Sequence, residues 1–239
     1  LADIEHEVRD THDVHNPLTR LVCLENTQGS CAGAPLSAGY TRSVRALCDR
    51  YGLALHIDGA RLFNAAAALN VSAAELVAPA DSISICLSKG LCAPVGSLLV
   101  GSREFIARAR RNRKMLGGGM RQAGILAAAG LIALEKMTLR LADDHATARQ
   151  LAEGIRQMSG LRLSYEPVLT NMVFFELDES VALNATQFAE ALARDYNVRI
   201  GPAGARSFRA VTHYWITPEA IETALTGMRH ILESTRQPA

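Results

Sequence analysis

Aromatic side chains make up only 5% of the 239 residues, so the core must rest on aliphatic packing between helices and sheet. An excess of one charge is also missing: 25 Lys and Arg stand against 24 Asp and Glu. Nothing therefore draws the chain as a whole towards nucleic acid or an anionic membrane. No long apolar run exists either. The longest, residues 125–134, falls well short of the ~20 residues of a membrane-spanning helix. Cysteines are few: Cys23, Cys31, Cys48, Cys86 and Cys92 include no C-x-x-C, and their odd number argues against a disulfide framework. They read as small buried hydrophobes in a reducing compartment, and the cytoplasm is the expected location. His6, His12 and His15 have no cysteine or acid following at a zinc-like spacing, which speaks against a metal site. A signal-peptide shape is absent from residues 1–13, and the first residue is leucine, so the expectation is a piece of a longer chain.

What is present is a rhythm of strand, loop and helix. A short helix is predicted over residues 2–9, and the apolar run Leu21-Val22-Cys23-Leu24 reads as a parallel strand buried on both faces. A loop rich in Gly, Ser and Pro follows over residues 26–35. Ser37 can cap a helix that Gly52 stops. Strands are predicted at 53–57, 82–86 and 97–100, with helices at 60–69, 72–77, 104–113 and 121–135. This is the pattern of an α/β layered domain with a mostly parallel sheet. Beyond about residue 137 a long helix over 139–158 leads into strands at 162–165, 172–177, 198–200 and 208–212. Helices near 186–195 and from Pro218 complete a small α+β domain. The expected division is 1–137 and 138–239.

Chemistry concentrates at two predicted strand ends. In His56-Ile57-Asp58-Gly59-Ala60-Arg61 an aspartate appears where the strand stops, followed by a glycine and an arginine. Carboxyl ends of parallel strands are where open α/β sheets bind ligands, so Asp58 could ligate metal, act as a base or face a positively charged ring nitrogen. It could equally be a helix cap. The second strand runs through Ile85-Cys86-Leu87-Ser88-Lys89-Gly90 and ends on a lone lysine. Partial desolvation there would lower its pKa and make the neutral amine a Schiff-base nucleophile. Lysine on one strand end and carboxylate on another is the pair that a pyridoxal phosphate enzyme needs.

The segments Leu55-His56-Ile57-Asp58-Gly59-Ala60-Arg61-Leu62-Phe63-Asn64-Ala65, Ile85 to Gly90, Pro94-Val95-Gly96-Ser97 and Lys114-Met115-Leu116-Gly117-Gly118-Gly119-Met120-Arg121-Gln122 resemble, in order, the threonine aldolases. That resemblance implies a fold-type I, aspartate aminotransferase-like large domain, incomplete at its N-terminus, plus a small C-terminal α+β domain. It implies pyridoxal 5'-phosphate as cofactor, with Lys89 as the Schiff-base lysine and Asp58 facing the pyridine nitrogen. Arg121 matches an arginine near the cofactor phosphate. Arg61 and Arg209, the latter in Phe208-Arg209-Ala210-Val211-Thr212-His213, match arginines that hold the substrate carboxylate, a task suited to the two-pronged guanidinium. The implied reaction is retro-aldol cleavage of L-threonine or L-allo-threonine to glycine and an aldehyde by a homo-oligomer, dimer or tetramer. Such an enzyme has no nucleic-acid or membrane partner.

Two departures from the family stand out. Where it reads Glu-Asn-Thr-His, this chain has Glu25-Asn26-Thr27-Gln28. Glutamine can contact the substrate hydroxyl but cannot accept its proton. The family's phosphate-binding turn, ring-stacking histidine and early serine would all precede Leu1. Alternatives are therefore a non-catalytic remnant acting as an interaction protein, or a related fold-type I lyase or aminotransferase. The basic run Arg108, Arg110, Arg111, Arg113 and Lys114 reads as a solvated helix face or subunit contact. Met115 and Met120 read as core or interface packing.

Overall fold

The computed structural model describes residues 1–10 and 12–235. The chain divides into two compact units, Leu1–Thr27 with Pro35–Leu139, and Gln28–Ala34 with Arg140–Ala239. Among the described residues no helix is long and apolar enough to cross a membrane.

The first unit is built on a four-stranded sheet in the order β1 (Leu21–Glu25), β2 (Ala54–Asp58), β3 (Ser82–Cys86) and β4 (Ser97–Gly101). The first three strands run parallel, and β4 returns antiparallel along β3. Helix α1 (Ala2–His6) is shorter than predicted, since residues 7–9 do not continue it. Helix α2 (Ala38–Tyr51) starts at Ser37, whose hydroxyl accepts from the Tyr40 amide, and ends where Gly52 turns left-handed at φ 64°. Its buried Val44 and Cys48 meet Val22 and Leu55 of the sheet and Leu53 just before β2. Helices α3 (Leu62–Leu69) and α4 (Ala73–Val77) close a second cluster around Ile57, Leu62, Leu76 and Ile83.

Several surfaces of this unit differ from the predicted ones. Strand β1 is the sheet edge, and its Leu21 and Cys23 are exposed, so it is not buried on both faces. Of the five cysteines only Cys48 is buried, because the others lie at the edge strand, in loops or at a strand end. Helix α5 (Arg103–Met115) buries no residue, and α6 (Gly124–Glu135) buries only Gly130 and Ala133. Met115, Leu116, Met120, Ile125, Leu131 and Ile132 are exposed, as are Leu98, Leu99 and Val100 of β4. Met115 and Met120 therefore contribute nothing to the core of this unit.

The second unit begins as a 3-10 turn, Met137–Arg140, gives way to α7 (Leu141–Arg156). The long helix predicted over 139–158 is thus shorter and tighter at its start. An antiparallel sheet follows in the order β5 (Leu161–Leu163), β6 (Met172–Leu177) and β7 (Ser207–Val211), with α8 (Ala185–Tyr196) and α9 (Pro218–Thr235). Asn184 caps α8 with a full capping box to Gln187. The core joins Leu151 and Ile155 of α7, Val173 and Phe175 of β6, Phe188 of α8, Phe208 of β7 and Met228 of α9. Phe175 stacks on Phe208 at 4.9 Å. Residues 198–200, predicted as a strand, form none; just beyond them Pro202 makes an isolated bridge to Phe208, and the Ala203 amide donates to the Ser207 carbonyl at 2.7 Å. A proline, lacking an amide hydrogen, cannot extend a ladder there.

Candidate functional site

The parallel register brings three strand ends to one edge of the first unit's sheet. Glu25, the last residue of β1, pairs with Asp58, the last of β2, and Asp58 pairs with Ser84 of β3. Backbone bonds tie these ends together: the Asn26 amide donates to the Asp58 carbonyl at 2.9 Å, and the Gly59 amide to the Ser84 carbonyl at 2.8 Å. Gly59 is needed for this approach. A Cβ at that position would lie 3.0 Å from the Ser84 carbonyl oxygen and 3.1 Å from the Leu62 Cβ.

Asp58 is exposed at this edge, and its Oδ1 accepts from the Ala60 amide at 2.9 Å. One carboxylate oxygen thus serves the local turn rather than capping α3, whose N-cap is Arg61, and Oδ2 takes no part in that turn. Arg61 lies next along the chain, at the N-terminus of α3. Its Nη1 is 4.0 Å from Glu25 Oε1, and its side chain is only 17% accessible. Its carbonyl accepts from the Thr27 hydroxyl at 3.4 Å. Glu25 was not singled out from the sequence, although it carries the same signature as Asp58: an acid closing an apolar strand.

Lys89 follows β3 in a loop pinned from both sides. The Leu87 amide donates to the Gly96 carbonyl, Ala93 donates back to the Leu87 carbonyl, and Cys92 donates to the Lys89 carbonyl, each at 2.9 Å. Leu87, Leu91 and Ala93 are buried, while Ser88 and Lys89 are left outward. Lys89 is therefore exposed, which corrects the expectation of partial desolvation. The apolar strand before it packs into the sheet, but among the described residues of this unit none buries Ser88 or Lys89 at its end.

Arg121 is exposed in the segment between α5 and α6, after Gly117-Gly118-Gly119. These glycines fold back on the end of α5: the Gly118 amide donates to the Arg113 carbonyl at 2.8 Å, and Gly117 is left-handed at φ 80°. Among the described residues, Arg121 makes no hydrogen bond or ion pair with Asp58, Arg61 or Lys89. The basic residues from Arg108 to Lys114 lie on the largely solvated α5.

The other two candidates belong to the second unit. Gln28 opens the excursion Gln28–Ala34. Its side-chain oxygen accepts from the Ser30 amide, and its carbonyl from the Cys31 and Gly33 amides. The amide nitrogen of that side chain remains able to donate. Arg209 is exposed on β7, paired in register with Phe174 of β6 and on the opposite sheet face from buried Phe208. The structure thus groups Asp58, Arg61 and Lys89 on the strand-end edge of the first unit, while Gln28 and Arg209 belong to the second.

Comparison with known proteins bears on the family. A family model for beta-eliminating lyases matches residues 1–180. Low-specificity L-threonine aldolase 1 of Arabidopsis thaliana is 43% identical over 240 residues, covering 100% of this chain and 67% of that protein. The low specificity L-threonine aldolase of Escherichia coli K12 is 41% identical over 221 residues, 92% of this chain and 62% of its own length. The chain thus spans about two thirds or less of these relatives. Among solved structures, a threonine aldolase from Leishmania major superposes with a TM-score of 0.73 at 23% identity, covering 96% of this chain and 66% of that one. A PLP-dependent aminotransferase from Streptococcus suis gives 0.68 at 16% identity, over 94% and 60%. These superpositions show a fold shared with PLP enzymes, that of fold type I. Aspartate and lysine at successive strand ends, the family match over 180 residues and the aldolase relatives converge on one statement: this chain belongs to the beta-eliminating lyase family.

Proposed function

We propose that the chain carries the lysine-bearing part of a pyridoxal-phosphate-dependent aldolase. Its reaction is cleavage of β-hydroxy-α-amino acids, L-threonine and L-allo-threonine, to glycine and an aldehyde. The observation that carries this reading is the meeting of β2 and β3 at one edge, which sets the Asp58 carboxylate beside the strand that leads to the Lys89 amine. The donor set fits the cofactor in kind: an amine that is exposed, and a carboxylate with one oxygen unoccupied by the local turn.

In this reading Lys89 holds the cofactor, Asp58 keeps its ring nitrogen protonated, and Arg121 contributes to its phosphate. When bound, the cofactor supplies an electron sink for the charge left at Cα once the Cα–Cβ bond breaks. Arg61 and Arg209 take the substrate carboxylate. Arg61 is held by the Glu25 carboxylate at 4.0 Å, which restrains the guanidinium before substrate arrives. Gln28, its oxygen already committed to the Ser30 amide, donates its side-chain N–H to the substrate hydroxyl. It cannot take the hydroxyl proton, so another group or water receives it; the net proton transfer is from the β-hydroxyl to Cα. The exposed apolar residues of α6 support association into a homo-oligomer.

The test is to add pyridoxal phosphate to the purified chain, reduce with borohydride, map the modified peptide and assay threonine for glycine and acetaldehyde. Label on Lys89 with glycine formation supports the reading; a folded chain that takes up no label, or labels elsewhere, refutes it. Gln28 favours a second reading, a chain that binds the cofactor but turns over slowly. Loss of a positioned base costs on the order of a hundredfold or more in rate.

A further inference from the structure

The second unit contains a buried polar cluster for which the proposed reaction has no use. Asp144, on the first turn of α7, is 1% exposed, Asn171 just before β6 is 4%, and Thr212 just after β7 is 2%. Asp144 Oδ1 accepts from Arg140 Nη2, and Arg140 Nε stands 3.8 Å from Asp143. The Arg140 guanidinium carbon lies 5.1 Å over the Tyr214 ring, an arrangement that attracts the cation to the ring face. The Thr212 hydroxyl donates to the Asp144 carbonyl. The Thr212 amide donates to the Asn171 carbonyl at 3.0 Å, and Asn171 Nδ2 donates to the Thr212 carbonyl at 2.8 Å.

All of these contacts converge on the same short stretch of chain. Thr212 directly follows the strand that carries Arg209, and the next residues are His213, Tyr214 and Trp215. Tyr214 and Trp215 meet edge to face at 4.8 Å, and the Trp215 amide donates to His213 Nδ1 at 3.3 Å. The cluster is also expensive. Asp144 Oδ2 and Asn171 Oδ1 are buried with no hydrogen-bond partner among the described residues. A buried unmet acceptor costs ~1–3 kcal/mol, and apolar residues of similar volume often replace a buried ion pair without loss of stability. Stability alone is thus a poor account of Asp144, whereas fixing the geometry of the segment it touches is a good one.

We propose that the Asp144 carboxylate is a positioning group: through Arg140, whose guanidinium lies over Tyr214, it holds the Tyr214–Trp215 pair beyond β7 and so the direction in which β7 presents Arg209. The main-chain carbonyl of Asp144, which no side-chain change removes, takes the Thr212 hydroxyl. The consequence for substrate rests on the reading that Arg209 takes the carboxylate; the clamp itself does not. The charged and titratable groups facing Asp144 are Arg140 and Asp143 at the start of its own helix and His213 from the end of β7. Burial pushes its carboxyl up from the ordinary aspartate value, against the opposing pull of Arg140. Acidification therefore neutralises Asp144 before an ordinary aspartate.

Trp215 is the single tryptophan of the chain and reports on the clamp directly. The experiment follows its fluorescence anisotropy in the whole chain from about pH 8 to about pH 4, with far-UV circular dichroism as the check on folding. A fall in anisotropy is expected as Asp144 gains its proton. Asp144→Asn should sit at the low plateau throughout, and His213→Gln should keep the fall at the wild-type midpoint. Arg140→Gln, which breaks the clamp from its less buried side, should match Asp144→Asn and serves in its place if that variant does not fold. The same fall in Asp144→Asn, or a flat wild-type trace with unchanged circular dichroism, overturns the proposal. In the cofactor-loaded chain, Asp144→Asn should raise KM for threonine about 3- to 10-fold while kcat stays within about 2-fold. An anisotropy change with unaltered KM overturns the positioning of Arg209. Absence of wild-type turnover alongside the expected anisotropy pattern counts against the aldolase reading and for the clamp.

Discussion

His145 provides the most direct check on the second unit, because its burial fixes both the sign and the size of a pH effect. It lies on α7 and is 3% exposed. Burial, aided by the positive charge of Arg149, pushes its pKa from 6.5 down to about 4. Below about pH 6.5 the unfolded chain gains a proton on this imidazole, while the folded chain does not until near pH 4. The contribution of His145 to stability is thus full above the unfolded value and lost as pH falls through this window. A fall from 6.5 to about 4 is worth about 3 kcal/mol at ~1.36 kcal/mol per pH unit. Asp144 acts in the opposite sense, since its raised folded pKa stabilises at low pH and that gain is lost as pH rises. The clean quantity is therefore a difference between wild type and His145→Gln. Urea unfolding, followed by Trp215 fluorescence, should show wild type losing about 3 kcal/mol more than the variant between pH 7 and about pH 4, a change in midpoint of ~1 M. Parallel loss of stability in the two proteins would refute the buried, neutral histidine.

Gly59→Ala should destabilise the first unit by about 1–3 kcal/mol, because the added Cβ meets the Ser84 carbonyl at 3.0 Å. The same change should weaken pyridoxal phosphate binding, measured by absorbance titration, and an unaltered urea midpoint would show that β2 and β3 have room to spare. Gly154→Ala sets two effects against each other: alanine gains ~1 kcal/mol of helix propensity, but its Cβ would lie 2.3 Å from Leu225 Cδ1 in the packed core. The clash should win, with a lowered Tm and a net loss of about 1–2 kcal/mol. Lys89→Ala should abolish borohydride-trapped label, whereas Asp58→Asn should leave cofactor binding and remove most turnover; retained turnover in both would sink the assignment of the site.

The strands and caps of the first unit were legible because their signals are local. Ser37 and Ser72 accept from the Tyr40 and Glu75 amides as N-caps should, and β3 occupies the predicted residues 82–86. The threonine aldolase motifs identified the family from the order of Asp58, Arg61, Lys89 and Arg121 along the chain. Exposure was not legible. An apolar run announces that a strand is buried on at least one face, but not which element covers its end, so Lys89 and Cys23 both came out more solvated than read. The partner of Arg61 was missed for a related reason: parallel register alone sets Glu25 opposite Asp58, and register depends on pairing across 32 intervening positions. Residues 198–200 have strand-like composition, yet Gly201-Pro202 follows, and tertiary context left the segment without a ladder.

Backbone conformation adds an argument that composition could not. Among the described residues, six non-glycine residues have positive φ. Asn70 and Asn197 end helices, where a left-handed asparagine is ordinary. Ala32 lies in the Gln28–Ala34 excursion. The remaining three are Thr27 at φ 62°, Cys92 at φ 58° and Gln122 at φ 49°. Thr27 immediately precedes Gln28, the Cys92 amide donates to the carbonyl of Lys89, and Gln122 immediately follows Arg121. For a β-branched threonine the left-handed region is a genuine outlier, and each such residue costs ~1–3 kcal/mol unless its surroundings hold it there. Thr27 is fully buried, and Cys92 is tied to the Lys89 carbonyl, so both are held. Strain retained beside Gln28, Lys89 and Arg121, the residues proposed to meet substrate hydroxyl, cofactor and phosphate, is what loops shaped for ligands rather than for the fold would show.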